Sequence, residues 1–253
     1  MAESLAVWKK RAFIFPVHAL SFLGKFRQAL PGNGRMSIMR GMGYVWEWQE
    51  AEAEALFQAA KKLLEAGRII ALPTETFYAL AVNPFQKEAL EALFALKGRP
   101  PEKPVLLLVA HPEMLADLVA DLPETAVRLI KKFWPGPLTL ILPARPGLSP
   151  LVTGATGTVG VRQPRQPITC RLIDALGFPV TGTSANRSGQ LPLTRAREVE
   201  QEFGDEVSLI VDAGPCPGGL PSTIVDLSSA PPRVVRPGAV DLARLQEVIP
   251  DIA

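Results

Sequence analysis

The chain has 253 residues, 47% hydrophobic and 21% charged, a composition typical of a globular protein with a substantial core. No apolar run reaches the roughly 18 residues that a membrane-spanning helix needs. The two cysteines lack metal-ligand spacing and there are two histidines, which excludes a Cys/His zinc cluster and disfavours a histidine-dependent nucleophilic site. We therefore expect a cytoplasmic protein whose chemistry uses Lys, Arg, Ser, Thr, Asn and backbone groups.

The net charge of +2 is unevenly distributed along the chain. Residues 1–50 carry seven Lys or Arg and three Glu, whereas residues 51–253 carry 20 basic and 22 acidic residues. The main body is therefore not a broad basic surface for a nucleic-acid backbone. Residues 1–45 mix basic and aromatic residues with almost no acids, so we predict a poorly ordered extension over 1–45 and a folded domain over 46–253.

Helical and extended patterns alternate from Glu50 onward. The predicted strands are 68–72, 105–109, 138–142, 158–161, 179–181, 207–211, 223–227 and 233–235. The predicted helices begin at or near Glu50, Leu90, Pro112, Pro123, Ile168 and Thr194, and Gly67, Gly98 and Gly177 are expected to end three of them. Because no helix separates the last three strands, the pattern predicts an α/β fold with a mixed rather than a purely parallel sheet.

Polar and cationic residues follow several of these strands. Neither a P-loop motif nor a GxGxxG turn opening a helix is present, so a bound phosphate would need scattered donors. Such donors occur at 74–76, 162, 182–189, 222 and 236, and ligands prefer strand ends in open α/β sheets. The 97–103 loop adds three cations, which suits phosphate binding. Taken singly, each segment could equally be a solvated helix end, an ordinary turn or a plain polar loop.

Seven motifs between residues 68 and 238 occur together in a characteristic order: PTETFYAL, KGRPPEKPV, WPGPLTLIL, VGVRQP, TSANRSG, PSTIVD and VVRPG. In this order they resemble the YrdC/Sua5 family of threonylcarbamoyl-AMP synthases, whose signature corresponds to Lys97, Arg99, Ser184 and Asn186. The resemblance implies a single α/β domain with a twisted mixed parallel/antiparallel sheet, flanking helices and a concave basic cavity. It is closest to the short form of the family, without a further C-terminal domain.

The resemblance also implies a reaction. L-threonine, bicarbonate or CO2, and ATP with Mg²⁺ would give L-threonylcarbamoyl-adenylate and pyrophosphate. The product supplies the N6-threonylcarbamoyl group on adenosine 37 of tRNAs that read ANN codons. Implied partners are therefore tRNA or a downstream tRNA threonylcarbamoyl-transferase complex, and no membrane.

Motif position assigns the implied roles of individual residues. Lys97 and Arg99 would be catalytic. Threonine would contact Thr76, Arg162, Gly182 and Ser222. ATP would contact Arg99, Lys103, Thr158, Ser184, Asn186, Pro192 and Arg236. No protein ligand to a metal is implied.

The chain departs from the family pattern at several positions. Ala79 replaces a glycine, Lys103 replaces an asparagine found in many members, and Leu108 replaces a histidine that contacts threonine in some. Arg165 and Gln166 replace an acid and a histidine.

The alternative functions are an RNA-binding or ribosome-maturation protein of the same fold and an inactive paralogue. The charge balance of residues 51–253 disfavours the first, and the complete signature disfavours the second.

Overall fold

The structure is a computed structural model that describes residues 36–38 and 43–252. Its strands are β1 (Met36–Ile38), β2 (Tyr44–Glu47), β3 (Ile70–Leu72), β4 (Ala79–Ala81), β5 (Leu107–Leu108), β6 (Leu138–Pro143), β7 (Thr158–Arg162), β8 (Val180–Thr181), β9 (Thr183–Ser184), β10 (Leu209–Asp212), β11 (Thr223–Asp226) and β12 (Arg233–Arg236). Its α-helices are α1 (Ala53–Glu65), α2 (Lys87–Lys97), α3 (Glu124–Phe133), α4 (Pro150–Thr153), α5 (Pro167–Leu176), α6 (Ala196–Phe203) and α7 (Leu242–Gln246). Short 3-10 helices span Glu50–Glu52, Pro112–Asp117 and Gly204–Glu206.

Most of the predicted extension lies outside the described residues, so its order and the boundary at residue 46 stay predictions. The described part begins with β1, which pairs with β2 in antiparallel register. Tyr44 and Val45, on β2, are buried. Strand β2 therefore spans the predicted boundary.

The strands form two mixed six-stranded sheets. The first sheet has the order β1-β2-β10-β3-β4-β9, and the second has the order β12-β11-β6-β7-β5-β8. Strand β10 is parallel to both β2 and β3, while β6 is parallel to β11 and antiparallel to β7. The α/β class and the mixed sheet are confirmed, and the strands divide between two sheets rather than one.

One extended stretch, 180–184, connects the two sheets. Its first half, β8, pairs with β5 in the second sheet, and its second half, β9, pairs with β4 in the first. Gly182 lies between the halves, and its N–H donates to the Leu106 carbonyl over 2.9 Å. A Cβ at residue 182 would lie 2.5 Å from Cγ of Leu108, so the close approach of the two strands requires glycine here.

Glycine also ends the three helices for which it was predicted, and Gly67 follows α1 at φ +71°. Gly98 follows α2 at φ +61° and Gly177 follows α5 at φ +75°, both in the left-handed region. Helix α6 begins after Arg195 rather than after the predicted cap Thr194. Its start is fixed by Glu198, whose carboxylate accepts the N–H groups of Thr194 and Arg195.

A single hydrophobic cluster packs against both sheets. Its fully buried members include Leu80 and Ile210 in the first sheet and Leu107, Leu140 and Val161 in the second. Because one core supports both sheets, the loops at their strand ends are held in a fixed relation to one another.

The segment after β12 approaches the segment before β11 closely at Gly238. A Cβ there would lie 2.3 Å from the Pro221 carbonyl oxygen, a backbone atom that cannot move aside. We expect Gly238→Ala to lower the free energy of unfolding by about 1–3 kcal/mol, measured by urea titration with circular dichroism. Gly160→Ala is the control, since its Cβ would meet nothing closer than 3.5 Å and its stability should change by less than about 1 kcal/mol. Equal losses in the two variants would contradict this account.

Candidate functional site

A cavity of about 320 Å³ lies where the polar strand ends and loops converge. Nine of the twelve predicted site residues line it: Thr76, Arg99, Thr158, Arg162, Gly182, Ser184, Pro192, Ser222 and Arg236. The other three, Lys97, Lys103 and Asn186, do not line it. The structure therefore brings together residues from motifs that are as much as 160 positions apart in the sequence.

The floor of the cavity comes from neighbouring strands of the second sheet. Ile224 on β11 pairs with Thr139 on β6 and with Arg236 on β12. Ile141 on β6 pairs with Gly160 on β7. All five residues line the cavity, so the sheet presents an apolar floor with hydroxyl and guanidinium groups on it.

A hydrogen-bonded group stands at the β11–β12 side of this floor. Arg236 Nη2 donates to the Ser222 carbonyl over 2.7 Å and to Ser222 Oγ over 3.1 Å. Ser222 Oγ lies 2.9 Å from Thr139 Oγ1, and both hydroxyl-bearing residues are buried. Burial, and then the nearby charge of Arg162, lower the pKa of Arg236. Two guanidinium groups that repel each other in a partly desolvated cavity favour an anionic ligand.

The opposite wall contains the turn after β3. Thr74 Oγ1 accepts the N–H groups of Thr76 and Phe77 and donates to the Phe77 carbonyl. The hydroxyl of Thr76 lies 3.0 Å from that of Thr74. These local bonds fix the turn, as the plain-turn interpretation predicted. They also hold Thr76 at the cavity wall.

Arg162 is the most deeply buried of the cations that line the cavity. It ends β7, and its side chain is only 5% exposed. Burial lowers the pKa of Arg162, and the nearby Glu75 carboxylate opposes that effect. The guanidinium is therefore largely shielded from solvent at the cavity wall, so water screens its attraction for an anion only weakly.

Arg99 is fixed by the loop that follows it. Its Nε donates to the Lys103 carbonyl over 3.2 Å and its Nη2 to the Pro104 carbonyl over 2.7 Å. Burial lowers the pKa of Arg99. Lys103 is exposed, and its backbone rather than its ammonium group takes part in this arrangement.

Lys97 and Asn186 lie behind the cavity wall. The Lys97 side chain is buried, with the residue 3% exposed, and its Nζ donates to the carbonyls of Ser184 and Asn186, each over 2.6 Å. Asn186 Oδ1 accepts the hydroxyl of Ser184 over 2.6 Å, and its amide donates to the Gln190 carbonyl over 2.8 Å. Both residues therefore shape the loop that presents Ser184.

Several lining residues were not among the predicted site residues, although they lie within the motifs. Thr139, Ile141, Gly160 and Ile224 lie within predicted strands and were assigned no role in the site. The one available signal was Thr139, a hydroxyl in the otherwise apolar run 138–142. Thr139 lies on the cavity floor because of how β6 pairs with its neighbouring strands, and a local sequence pattern does not predict that pairing.

The described residues contain neither a metal-binding cluster nor a membrane-spanning helix. Across residues 36–38 and 43–252, no group of three or more His, Cys, Asp or Glu side chains could hold a metal ion. In the same ranges, no helix has both the length and the hydropathy needed to cross a bilayer.

The fold and site define an α/β protein whose cavity is lined by cations and hydroxyls, a lining suited to a small anionic ligand. The family model Sua5_yciO_yrdC, described as Telomere recombination, matches residues 62–238, and the chain belongs to this family.

Relatives of named function support the same grouping. The threonylcarbamoyl-AMP synthase of Pyrococcus abyssi is 37% identical over 204 residues, which cover 81% of this chain and 60% of that protein. The threonylcarbamoyl-AMP synthase of Bacillus subtilis is 38% identical over 191 residues, covering 75% of this chain and 55% of that protein. The chain thus spans 55–60% of the length of these two relatives.

Solved structures confirm the fold. The crystal structure of P. abyssi Sua5 complexed with L-threonine aligns with a TM-score of 0.78 at 35% identity, covering 83% of this chain and 62% of that one. The crystal structure of E. coli YciO aligns with a TM-score of 0.71 at 27% identity, covering 79% of this chain and 97% of that one. The family and fold predicted from the motifs are confirmed, whereas the roles of individual residues stay predictions.

The buried ammonium group of Lys97 gives the first test of this site. Burial, and then repulsion by Arg99, lower the pKa of Lys97 from 10.5 to about 8. Between these values the unfolded chain binds more protons than the folded protein, so the stability contributed by Lys97 rises with pH. From pH 7.5 to 9.5 we expect the free energy of unfolding of the wild type to rise by about 1–2 kcal/mol relative to Lys97→Met. The measurement is urea unfolding of both proteins at each pH, and a difference that does not change with pH would contradict a buried cation at this position.

Proposed function

We propose that this protein forms L-threonylcarbamoyl-adenylate and pyrophosphate from L-threonine, bicarbonate or CO2, and ATP. The observation that carries the proposal is the convergence of nine residues from separate family motifs on one cavity. The relatives named threonylcarbamoyl-AMP synthase, and a family structure that binds L-threonine, support the same reaction. On this proposal the protein is a nucleotidyltransferase.

The amino-acid half of the site would use Arg162, Thr76 and Ser222. A buried guanidinium is suited to the carboxylate of threonine, because its planar fork can donate two parallel hydrogen bonds. The hydroxyls of Thr76 and Ser222 would bind the polar groups of the amino acid. Gly182 lies beside them, and its N–H is already used within the sheet.

The nucleotide half would use Arg99, Ser184 and Arg236, with Thr158 and Pro192 at its border. The two guanidinium groups would bind phosphate oxygens by charge-assisted hydrogen bonds. Lys97 and Asn186 would act by holding the Ser184 loop, as their hydrogen bonds indicate. Lys103 would reach the triphosphate only from the exposed side of its loop.

The reaction requires no protein nucleophile. The threonine amine would attack the carbon of CO2 and lose a proton to give a carbamate. A carbamate oxygen would then attack the α-phosphorus of ATP as the bond to pyrophosphate breaks. The residues of the cavity would align the two substrates and stabilise the charge that develops on the phosphoryl oxygens.

Mg²⁺ would enter this site with ATP. The donors that line the cavity are hydroxyls, backbone groups and guanidiniums, which fits a metal held by the triphosphate and water rather than by a protein carboxylate cluster. When bound, the ion would neutralise phosphate charge as pyrophosphate leaves.

The product would be passed to tRNA or to a downstream tRNA threonylcarbamoyl-transferase complex in the cytoplasm. A carbamoyl-adenylate is an activated acyl donor, so the next reaction must be acyl transfer to a nucleophile such as the N6 amine of adenosine. The near-neutral balance of residues 51–253 favours transfer through a partner over an extended RNA footprint on this chain.

The deciding assay is pyrophosphate release by the purified protein with ATP, bicarbonate and Mg²⁺, with and without L-threonine. We expect threonine-dependent release and a product that contains both threonine and AMP by mass spectrometry. Absence of threonine-dependent release would refute the enzyme proposal. Binding of tRNA without turnover would instead support the RNA-binding alternative.

Arg99→Ala gives a residue-level test of the same proposal. The substitution removes a charge-assisted contact to phosphate in a partly desolvated site, so we expect pyrophosphate release to fall by more than ~10²-fold. Arg197→Ala is the matched control, because Arg197 is exposed and does not line the cavity. Near-normal turnover by Arg99→Ala would mean that the 97–103 loop is only a solvated helix end.

A further inference from the structure

Glu75 forms a buried ion pair with Arg162, and the proposed reaction assigns no role to Glu75. Glu75 Oε1 lies 3.8 Å from Arg162 Nε, and the two side chains are 12% and 5% exposed. Among the described residues, both atoms are buried and neither has a hydrogen-bond partner. Their separation exceeds the roughly 2.7–3.2 Å of an N–H···O hydrogen bond, so charge rather than a hydrogen bond links them.

The position of the Glu75 carboxylate is fixed from two sides. Its Oε2 accepts the backbone N–H of Arg165 over 3.0 Å, which ties it to the loop after β7. Its backbone belongs to the turn that the Thr74 hydroxyl closes after β3. Glu75 therefore joins the turn that carries Thr76 to the loop that follows Arg162.

Glu75 is not placed to contact a ligand in the cavity. Its Oε1 is buried and faces Arg162, its Oε2 is used by Arg165, and the residue does not line the cavity. Arg162 does line the cavity, and its Nε is the atom nearest to Glu75. An effect of Glu75 on a ligand must therefore pass through Arg162.

The positive charges around Arg162 explain why a carboxylate is needed beside it. Arg162 is desolvated and is repelled by Arg236, so a buried cation without an anion beside it would be unfavourable. In the described part of the chain, the only carboxylate within 4.0 Å of Arg162 is that of Glu75. A charge at the Nε edge also holds the guanidinium in one orientation.

We propose that Glu75 is a positioning residue that holds the Nε edge of Arg162, so that the two terminal nitrogens face the cavity and grip the carboxylate of the amino-acid substrate. This inference rests on the proposed function for one point, the identity of the ligand as an amino acid. The arrangement of Glu75 and Arg162 itself does not depend on that function.

The first experiment measures L-threonine binding by calorimetry and the KM values for threonine and ATP. Glu75→Gln keeps the side-chain shape but removes its charge, so we expect threonine binding at least ~10-fold weaker and an ATP KM within about twofold of the wild type. Glu75→Asp keeps the charge and should recover part of the loss.

Glu91→Gln is the control, since it removes a carboxylate from the exposed pair with Lys87 and should leave both parameters unchanged. Equal changes for threonine and ATP in Glu75→Gln would overturn the inference.

A double variant separates positioning from general destabilisation. If Glu75 acts through Arg162, Glu75→Gln should weaken threonine binding little further in an Arg162→Lys background. Additive losses would show that Glu75 acts independently of Arg162, and would overturn the inference.

The second experiment needs no ligand and so remains decisive if the proposed function fails. The Arg162 Nε–H signal in a ¹⁵N NMR spectrum of the free protein is assigned by its loss in Arg162→Lys. We expect Glu75→Gln to shift this signal and speed its exchange with water, and Glu91→Gln to leave it unchanged. A wild type that binds no threonine would refute the proposed function alone, whereas an unshifted signal in Glu75→Gln would overturn the positioning role.

Discussion

The close approach at Gly182 is the constraint on which the arrangement of the site depends. A side chain at this position would force Leu108 to move at the point where the stretch 180–184 passes from pairing with β5 to pairing with β4. That double pairing sets the first sheet, which carries the Thr76 turn, against the second, which carries the cavity floor. A steric limit at one backbone position thus fixes the distance between loops that are far apart in the sequence.

Within that frame, the cavity carries an excess of positive charge. Arg99, Arg162 and Arg236 all line it, and burial lowers the pKa of each. The carboxylate of Glu75 offsets part of this charge from behind Arg162, while hydroxyls rather than acids complete the lining. Without a ligand, these three guanidinium groups are stabilised by nearby backbone carbonyls and by the buried Glu75 carboxylate. A bound anion would complete the neutralisation.

The sequence predicted most of the helices and strands, and nine of the twelve residues assigned to a site line the cavity. Helix ends at Gly98 and Gly177 were predictable, because they depend on local backbone conformation. Strand β4 was not predicted, since its alanines have weak strand preference and one of its pairing partners, β9, is distant in sequence. Lys97 was identified by its motif, yet only the structure shows that its ammonium group binds backbone carbonyls behind the wall. The contact of Glu75 with Arg162 and that of Thr139 with Ser222 were not predicted, because each joins segments far apart in the chain.

Gly160 leaves an unfilled place in the cavity floor between Leu106 and Thr139, whose nearest atoms would be 3.5 and 3.7 Å from an added methyl group. The depth of the cavity is therefore set by the smallest residue of an otherwise rigid sheet, and it can be reduced in steps by side chains of increasing size. A series of substitutions at Gly160, from alanine to larger side chains, would measure how much of this space the ligand occupies. The side-chain size at which binding is lost would report how far the bound molecule reaches toward the floor, without a structure of the complex.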